Sequence, residues 1–192
     1  MLPNLHIGNE PIFWADKLKY LGVYFDSGKM IKIDILPMMR KFYGSANSIL
    51  CHSKYVSELT KLSLFESFAL PVLMYGLDVL FLGPVEMRKL NVCWNSIYRR
   101  IFNFHRWESV KVLQLMCERL DLTHILDKIK LKFYHRLYRC DSDVLQYCLS
   151  ISKYSKNVIN LFNKYDACVG DVVNIDVIFC KFADSCRLKC VG

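Results

Sequence analysis

Between Pro84 and Trp107 the chain reads PVEMRKLNVCWNSIYRRIFNFHRW, and no other stretch limits the fold so strongly. Proline is pre-set for a first helical turn and its missing N–H costs nothing there, so the segment predicts a helix of about six turns. Met87, Leu90, Trp94, Ile97, Ile101 and Phe104 step by three and four, which stacks them on one side. Arg88, Asn95, Arg99, Arg100 and Asn103 fall on the other side, and His105-Arg106-Trp107 close the run. A helix of this kind docks its apolar face on a core and shows cations to a partner.

The rest of the chain can supply that core. At 192 residues, with 53% hydrophobic and 23% charged, it suits one domain, or a small one with appendages, and not a chain disordered throughout. Its net charge of +8 favours an anionic partner, nucleic acid before a membrane surface; a basic face kept for solubility is the competing account. Nine cysteines is an odd number, and MLPNLHIGNE lacks the basic-then-apolar pattern of a signal peptide. The expected setting is reducing and intracellular, nuclear or cytoplasmic, with the cysteines acting as small apolar residues. Phe68–Val85 is the one membrane suspect. It barely reaches spanning length and contains Pro71, Gly76 and Asp78, so buried helices explain it better and no membrane partner is expected.

Read in order, residues 4–25 predict β structure: Asn4–Ile7, Pro11–Ala15 and Lys19–Phe25, with a turn at Asp26-Ser27-Gly28-Lys29. From Asp34 the period becomes helical. One helix is expected from Asp34 to about Cys51, with Met38, Phe42, Ala46 and Ile49 inward and Pro37 in its first turn. A second starts at Ser57 as N-cap, and Pro71 kinks or restarts it. After the long helix, Ser109 is a candidate cap for a short one, and Asp121 and Thr123 open another reaching about Cys140. The last has Leu122, Ile125, Leu126, Ile129, Phe133 and Leu137 inward. Lys128, Lys132, His135 and Arg139 are spaced four, three and four, so they form one basic stripe. From Glu86 to Arg139 there are twelve Lys or Arg against five Asp or Glu, and the charge gathers there. Beyond Asp141 two amphipathic stretches, Val144–Ile151 and Val158–Phe162, lead to a β-like run at Val172–Phe179.

The candidate nucleic-acid contacts are Arg88, Arg99, Arg100, Arg106, Trp107, Lys128, Lys132, His135 and Arg139. Cationic side chains neutralise phosphates, and aromatic rings stack on bases or pack on sugars. A solvated face with core aromatics is the bland alternative. No sequence-reading element accompanies the cations, so shape and backbone contacts are expected. Cys168, Cys180, Cys186 and Cys190 lack the paired spacing of structural zinc ligands and read as chance thiols. Phe182-Ala183-Asp184-Ser185 resembles a polymerase Phe-Ala-Asp-Asp box without its last carboxylate. A single Asp cannot hold two magnesium ions, so it reads as coincidence. No nucleophile elbow, Walker loop or zincin motif occurs, and no catalytic residue, metal ligand, cofactor or small-molecule substrate is assigned.

Several stretches together resemble the reverse transcriptases of non-LTR (LINE-like) retrotransposons. Lys19-Tyr20-Leu21-Gly22-Val23 is similar to the strand that follows their catalytic palm. Leu70-Pro71-Val72-Leu73-Met74-Tyr75-Gly76 is similar to a helix downstream, and Leu90-Asn91, Trp94-Asn95, Arg99-Arg100-Ile101-Phe102 and Trp107-Glu108-Ser109 to the helix after it. The likeness covers roughly residues 10–140 in collinear order. It implies a palm β remnant at 1–29, a helical thumb and connection region at 30–140 that grips a template–primer duplex, and an extension of unassigned role at 141–192. The parent reaction is RNA-templated DNA synthesis with magnesium, whose carboxylates lie upstream of the KYLGV stretch in that family. Only 18 residues precede it here, so the expectation is a truncated copy begun at an internal methionine.

The sequence therefore predicts a mainly α fold, a thumb-like helical bundle with a small N-terminal antiparallel β element. Its expected partner is RNA or an RNA–DNA hybrid, with no polymerase activity from this chain alone. The alternative is a non-enzymatic helical module for protein–protein interaction.

Overall fold

A computed structural model describes residues 5–13, 15–28, 32–80, 82–168 and 174–190. The chain is mainly helical, with a small antiparallel β region at its N-terminus. Strands β1 (Leu5–Ile7) and β2 (Glu10–Ile12) form a hairpin, and β3 (Lys17–Tyr20), β4 (Val23–Asp26) and β5 (Lys32–Asp34) form a three-stranded sheet in that order. Asn4, Trp14, Lys29 and Val172, which the sequence reading included in strands or a turn, lie outside the described residues.

The expected single strand Lys19–Phe25 is instead a hairpin. Tyr20 pairs with Val23 across a two-residue loop, and Leu21 and Gly22 both take positive φ, 46° and 81°. That is the handedness a tight hairpin needs to match strand twist. Leucine is an unusual residue there, which is why alternation alone missed the turn. Register places Leu18, Tyr20, Val23, Phe25 and Ile33 on one sheet face. The other face carries Lys17, whose Nζ lies 3.2 Å from both Asp26 Oδ1 and Asp34 Oδ2.

Helix α1 (Leu36–His52) begins after Asp34, whose Oδ1 accepts the Leu36 N–H at 3.0 Å, and Pro37 sits in its first turn. Ser57 caps α2 (Glu58–Leu64) by accepting the Thr60 N–H. A π-helical turn (Phe65–Ala69) then leads to α3 (Leu70–Met74). Pro71 has no N–H to give to the preceding turn and its ring crowds the carbonyl four residues back; the widened turn, closed by Leu70 N–H to Phe65 C=O, accommodates both. Asp78, in the apolar run, accepts the Val79 N–H at 3.1 Å, and its own carbonyl accepts the Tyr154 hydroxyl at 2.8 Å. No helix among the described residues is long and apolar enough to cross a membrane.

The long helix α4 (Pro84–Phe102) stops before Trp107. Asn103 takes the left-handed conformation (φ 55°) and the Phe104 N–H returns to the Arg99 carbonyl, a C-terminal cap that Asn tolerates well. Phe104, expected on the apolar face, therefore lies in the loop. Short α5 (Lys111–Met116) is preceded by Val110 and has no side-chain cap from Ser109. Helix α6 (Leu122–Tyr138) opens on Asp121, whose Oδ1 accepts the His124 N–H at 2.9 Å. Helices α7 (Asp143–Ile151), α8 (Lys153–Lys164) and α9 (Ile175–Cys190) complete the fold. Residues 175–179, read as β-like, are helical. Ile178 and Phe182, four residues apart, are buried in a core shared with α6, with Phe179 partly buried beside them, and this packing overrides local β propensity.

Two cores result. The first gathers Phe42, Leu62, Phe65, Leu73, Leu90, Trp94 and Ile97 between α1, α2, α3 and α4, with Trp94 meeting Tyr98 edge-on at 5.5 Å. The second gathers Leu131, Tyr134, Val158, Phe162, Tyr165, Ile178 and Phe182 between α6, α8 and α9. Helix α6 serves both, so Asp127, Lys130, Leu131 and Tyr134 are buried as well as Leu122 and Leu126. Asp127 is satisfied from α8 and the residue after it: its Oδ2 accepts Lys164 Nζ at 2.6 Å and the Tyr165 hydroxyl at 2.7 Å.

Besides Ile33 of β5, which packs on the first core, the N-terminal sheet meets the segment after α3 at its β3–β4 turn. The Tyr75 hydroxyl donates to the Leu21 carbonyl at 3.0 Å, and Gly76 (φ +73°) lies so close to Val23 that an added Cβ would stand 3.1 Å from its Cγ2. Gly76→Ala is expected to lower unfolding free energy by about 1–3 kcal/mol through the strained φ and this approach, measured by urea titration. Asp127→Ala, which leaves a buried hydroxyl and an ammonium without their acceptor, is expected to cost about 2–4 kcal/mol and to raise hydrogen exchange in α8 first.

Candidate nucleic-acid interface

Helix α4 presents its basic residues unequally. Arg88 is exposed on the solvent face, beside Lys89 and Val92. Arg99 is half-buried: its Nη2 donates to the Glu108 carbonyl at 2.9 Å, and its Nε is buried with no hydrogen-bond partner. Arg100 donates through Nη1 to Asn47 Oδ1 at 2.8 Å, which ties α4 to α1. Asn95 turns inward and accepts from Gln114 at 3.3 Å. The sequence places these four on one polar face; the fold spends three of them on holding neighbours.

The loop after α4 is built by those bonds. Glu108 Oε2 accepts the His105 N–H at 2.5 Å, and Arg99 holds the Glu108 carbonyl, so residues 103–109 form a compact tip. At that tip the Trp107 ring lies flat on His105, centroids 5.1 Å apart and planes 1° from parallel. Trp107 is 81% exposed, and Arg106 beside it is also exposed. An exposed indole on a surface loop offers a flat face on which a base can stack.

On α6 the predicted stripe is present. Lys132 and Arg139 are exposed, and Lys128 and His135 are half-buried on the same strip, which extends about 16 Å along the helix axis. Among the described residues, Arg88, Arg106, Lys128, Lys132, His135, Arg136 and Arg139 form no ion pair with a carboxylate. Burial, then the Lys132 charge, hold the Lys128 ammonium below the ordinary lysine range; Glu66 partly offsets them. Lys128 forms a wall shared by two clefts. One, of about 590 Å³, includes Glu66, Arg119 and Asp176, with Arg119 Nε 3.0 Å from Glu66 Oε2. The other, of about 440 Å³, is lined by Lys128, Ile129, Leu131, Lys132, His135, Arg136 and Ile178.

Sequence reasoning missed Arg136 and Ile178. Arg136 follows Lys128 by eight positions and Lys132 by four, so stripe spacing could have included it. Ile178 was hidden because residues 172–179 read as β. The polymerase-like Phe182-Ala183-Asp184 lies within α9: Phe182 is fully buried 5.3 Å from the His124 ring, while Asp184 is exposed. Cys168 and Cys180 are exposed and Cys186 is buried in the second core. Among the described residues no group of three or more His, Cys, Asp or Glu side chains is arranged to hold a metal ion.

The fold and surface define a mainly α protein with an N-terminal β element and cations gathered on α4, its following loop and α6. Comparison with protein-family models, curated proteins and solved structures finds no match to the chain.

Buried Lys130 supplies a pH signature for the core beneath the stripe. Burial pulls its pKa down to about 8, against the attraction of Asp127. The unfolded chain keeps that proton up to the ordinary lysine range, so it binds more protons than the folded chain above about pH 8 and stability rises with pH there. Urea midpoints are expected to climb from pH 8 towards 10 in the native chain. The Lys130→Met variant is expected to lack that part of the climb.

Proposed function

We propose that this chain is a nucleic-acid-gripping helical module, akin to the thumb of a non-LTR retrotransposon reverse transcriptase, that holds RNA or an RNA–DNA hybrid through its phosphates. The observation that carries the reading is the strip of Lys128, Lys132, His135 and Arg139 along α6 and its C-terminal end, whose basic side chains share one helix side and form no ion pair with a carboxylate among the described residues. Like charges held together in this way repel, and a polyanion relieves that repulsion while releasing counterions. Trp107, with Arg106 beside it, adds a ring for stacking.

The family resemblance supports the same reading. Two of its collinear stretches, KYLGV and LPVLMYG, meet in space through the Tyr75–Leu21 hydrogen bond and the Gly76–Val23 contact. Within the reading, the chain contributes grip on template and primer inside the cell, and the magnesium carboxylates of the parent reaction are not among its residues. Catalysis by this chain alone is not part of the proposal.

A second reading rests on the sheet. Leu18 and Tyr20 share a face with Phe25 and are more than half exposed, as a protein-binding surface would be. Salt separates the two: phosphate contacts weaken as salt rises, and apolar docking does not.

The test uses residues that hold no neighbour in place. Arg88, Arg106, Lys132 and Arg139 changed together to Gln should leave the thermal melt near that of the native chain. Their loss should weaken binding to a labelled RNA–DNA hybrid by about 100-fold or more at low salt and flatten the log–log salt slope by about 3. A folded native chain that binds no hybrid at low salt would refute the grip and favour the sheet reading.

A further inference from the structure

The smaller cleft between α6 and α9 has a composition that duplex grip does not explain. Its rim is cationic: Lys128, Lys132 and Arg136 rise from α6 at intervals of four, with His135 between the last two. Its floor is apolar, formed by Ile129 and Leu131 of α6 and by Ile178 of α9. His135 Nδ1 is buried with no hydrogen-bond partner, and Arg136 lies 5.8 Å from the Phe133 ring centroid. A duplex keeps its bases stacked inside and offers a protein mainly phosphates and sugars, which need a cationic surface but no apolar recess. An unpaired nucleotide offers a phosphate and a flat base together. A recess of about 440 Å³ lies within the size range of small-ligand sites.

We propose that the α6–α9 cleft holds an unpaired nucleotide of a single-stranded extension, with its phosphate among Lys132, His135 and Arg136 and its base against Ile129 and Ile178. The inference rests on the nucleic-acid reading above and specifies where duplex gives way to single strand. It also gives the C-terminal segment a role, since α9 supplies one wall. A phosphate in the cleft offsets the mutual repulsion of the cations and gives the buried His135 nitrogen's imidazole a polar neighbour. The apolar floor tolerates any base, so no sequence preference is expected.

The probe is a short RNA–DNA hybrid, blunt or carrying a few unpaired ribonucleotides, titrated against the full chain at fixed salt. The native chain should bind the extended form about tenfold more tightly, the value of roughly one stacked and neutralised nucleotide. Arg136→Glu should abolish that preference, with a thermal melt confirming that this exposed substitution leaves the fold intact. An extension with uncharged methylphosphonate linkages should lose most of the advantage, because its phosphate charge is gone. A photoreactive thiouridine in the extension should cross-link to α6 or α9.

Equal affinity for blunt and extended probes, a preference that survives in Arg136→Glu, or cross-links confined to the Trp107 loop would each overturn the cleft assignment while leaving duplex binding in place. Binding of neither probe by a folded chain would overturn the functional reading and the cleft together.

Discussion

Burial of α6 on two sides is the constraint on which the rest of the structure depends. A helix covered on one side needs a single apolar stripe, and α6 has one in Leu122, Ile125, Leu126 and Ile129 facing the first core. Helices α8 and α9 cover a second side, and there the sequence supplies Asp127, Lys130, Leu131 and Tyr134. A carboxylate taken out of water is costly unless it is paired, and the Lys164 ammonium and Tyr165 hydroxyl on Asp127 meet that need. The pairing fixes α8 against α6, and with α8 and α9 in place only one strip of α6 remains open. That strip holds the cations. The exposed chemistry of the helix is thus what its buried chemistry leaves over.

The same logic separates the two basic helices. On α4 the polar side is shared with α1, α5 and the following loop, so Asn95 and Arg99, both half-buried, bond to neighbouring segments, and Arg100, although exposed, donates to Asn47 of α1. Arginine suits this role because its guanidinium forks can satisfy a carbonyl or amide while the stem packs on apolar surface. On α6 no neighbour claims Lys132, Arg136 or Arg139 through an ion pair among the described residues. The cations available to a partner lie mainly on α6 and at the loop tip.

Much of this was legible in the sequence where one local cause dominates. The N-caps Ser57 and Asp121, the entry of α1 beside Asp34, the interruption before Pro71 and the α6 stripe all follow from short-range geometry and spacing. The misreadings share a different cause. Lys19–Phe25 hid a hairpin because Leu21 takes a positive φ that leucine rarely accepts, and the turn is held from outside by Tyr75. The end of α4 moved inward because Asn103 caps it while Arg99 and Glu108 hold the loop beyond it. Residues 175–179 are helical because Ile178 and Phe179 pack on a core contributed by α6 and α8. In each case contacts from distant residues decide a segment whose own propensity points elsewhere.

The sequence by itself determined the class of the fold, the helix starts and the spacing of the basic residues, because these depend on the period of the backbone and on groups within a turn or two. Tertiary structure alone decided which basic residues face solvent, that α8 and α9 join α6 in a second core, and that KYLGV and LPVLMYG touch. Exposure is a property of what packs alongside, and it belongs to no residue in isolation. A charge at the right helical spacing becomes part of a surface only when no other element of the chain has covered or paired it.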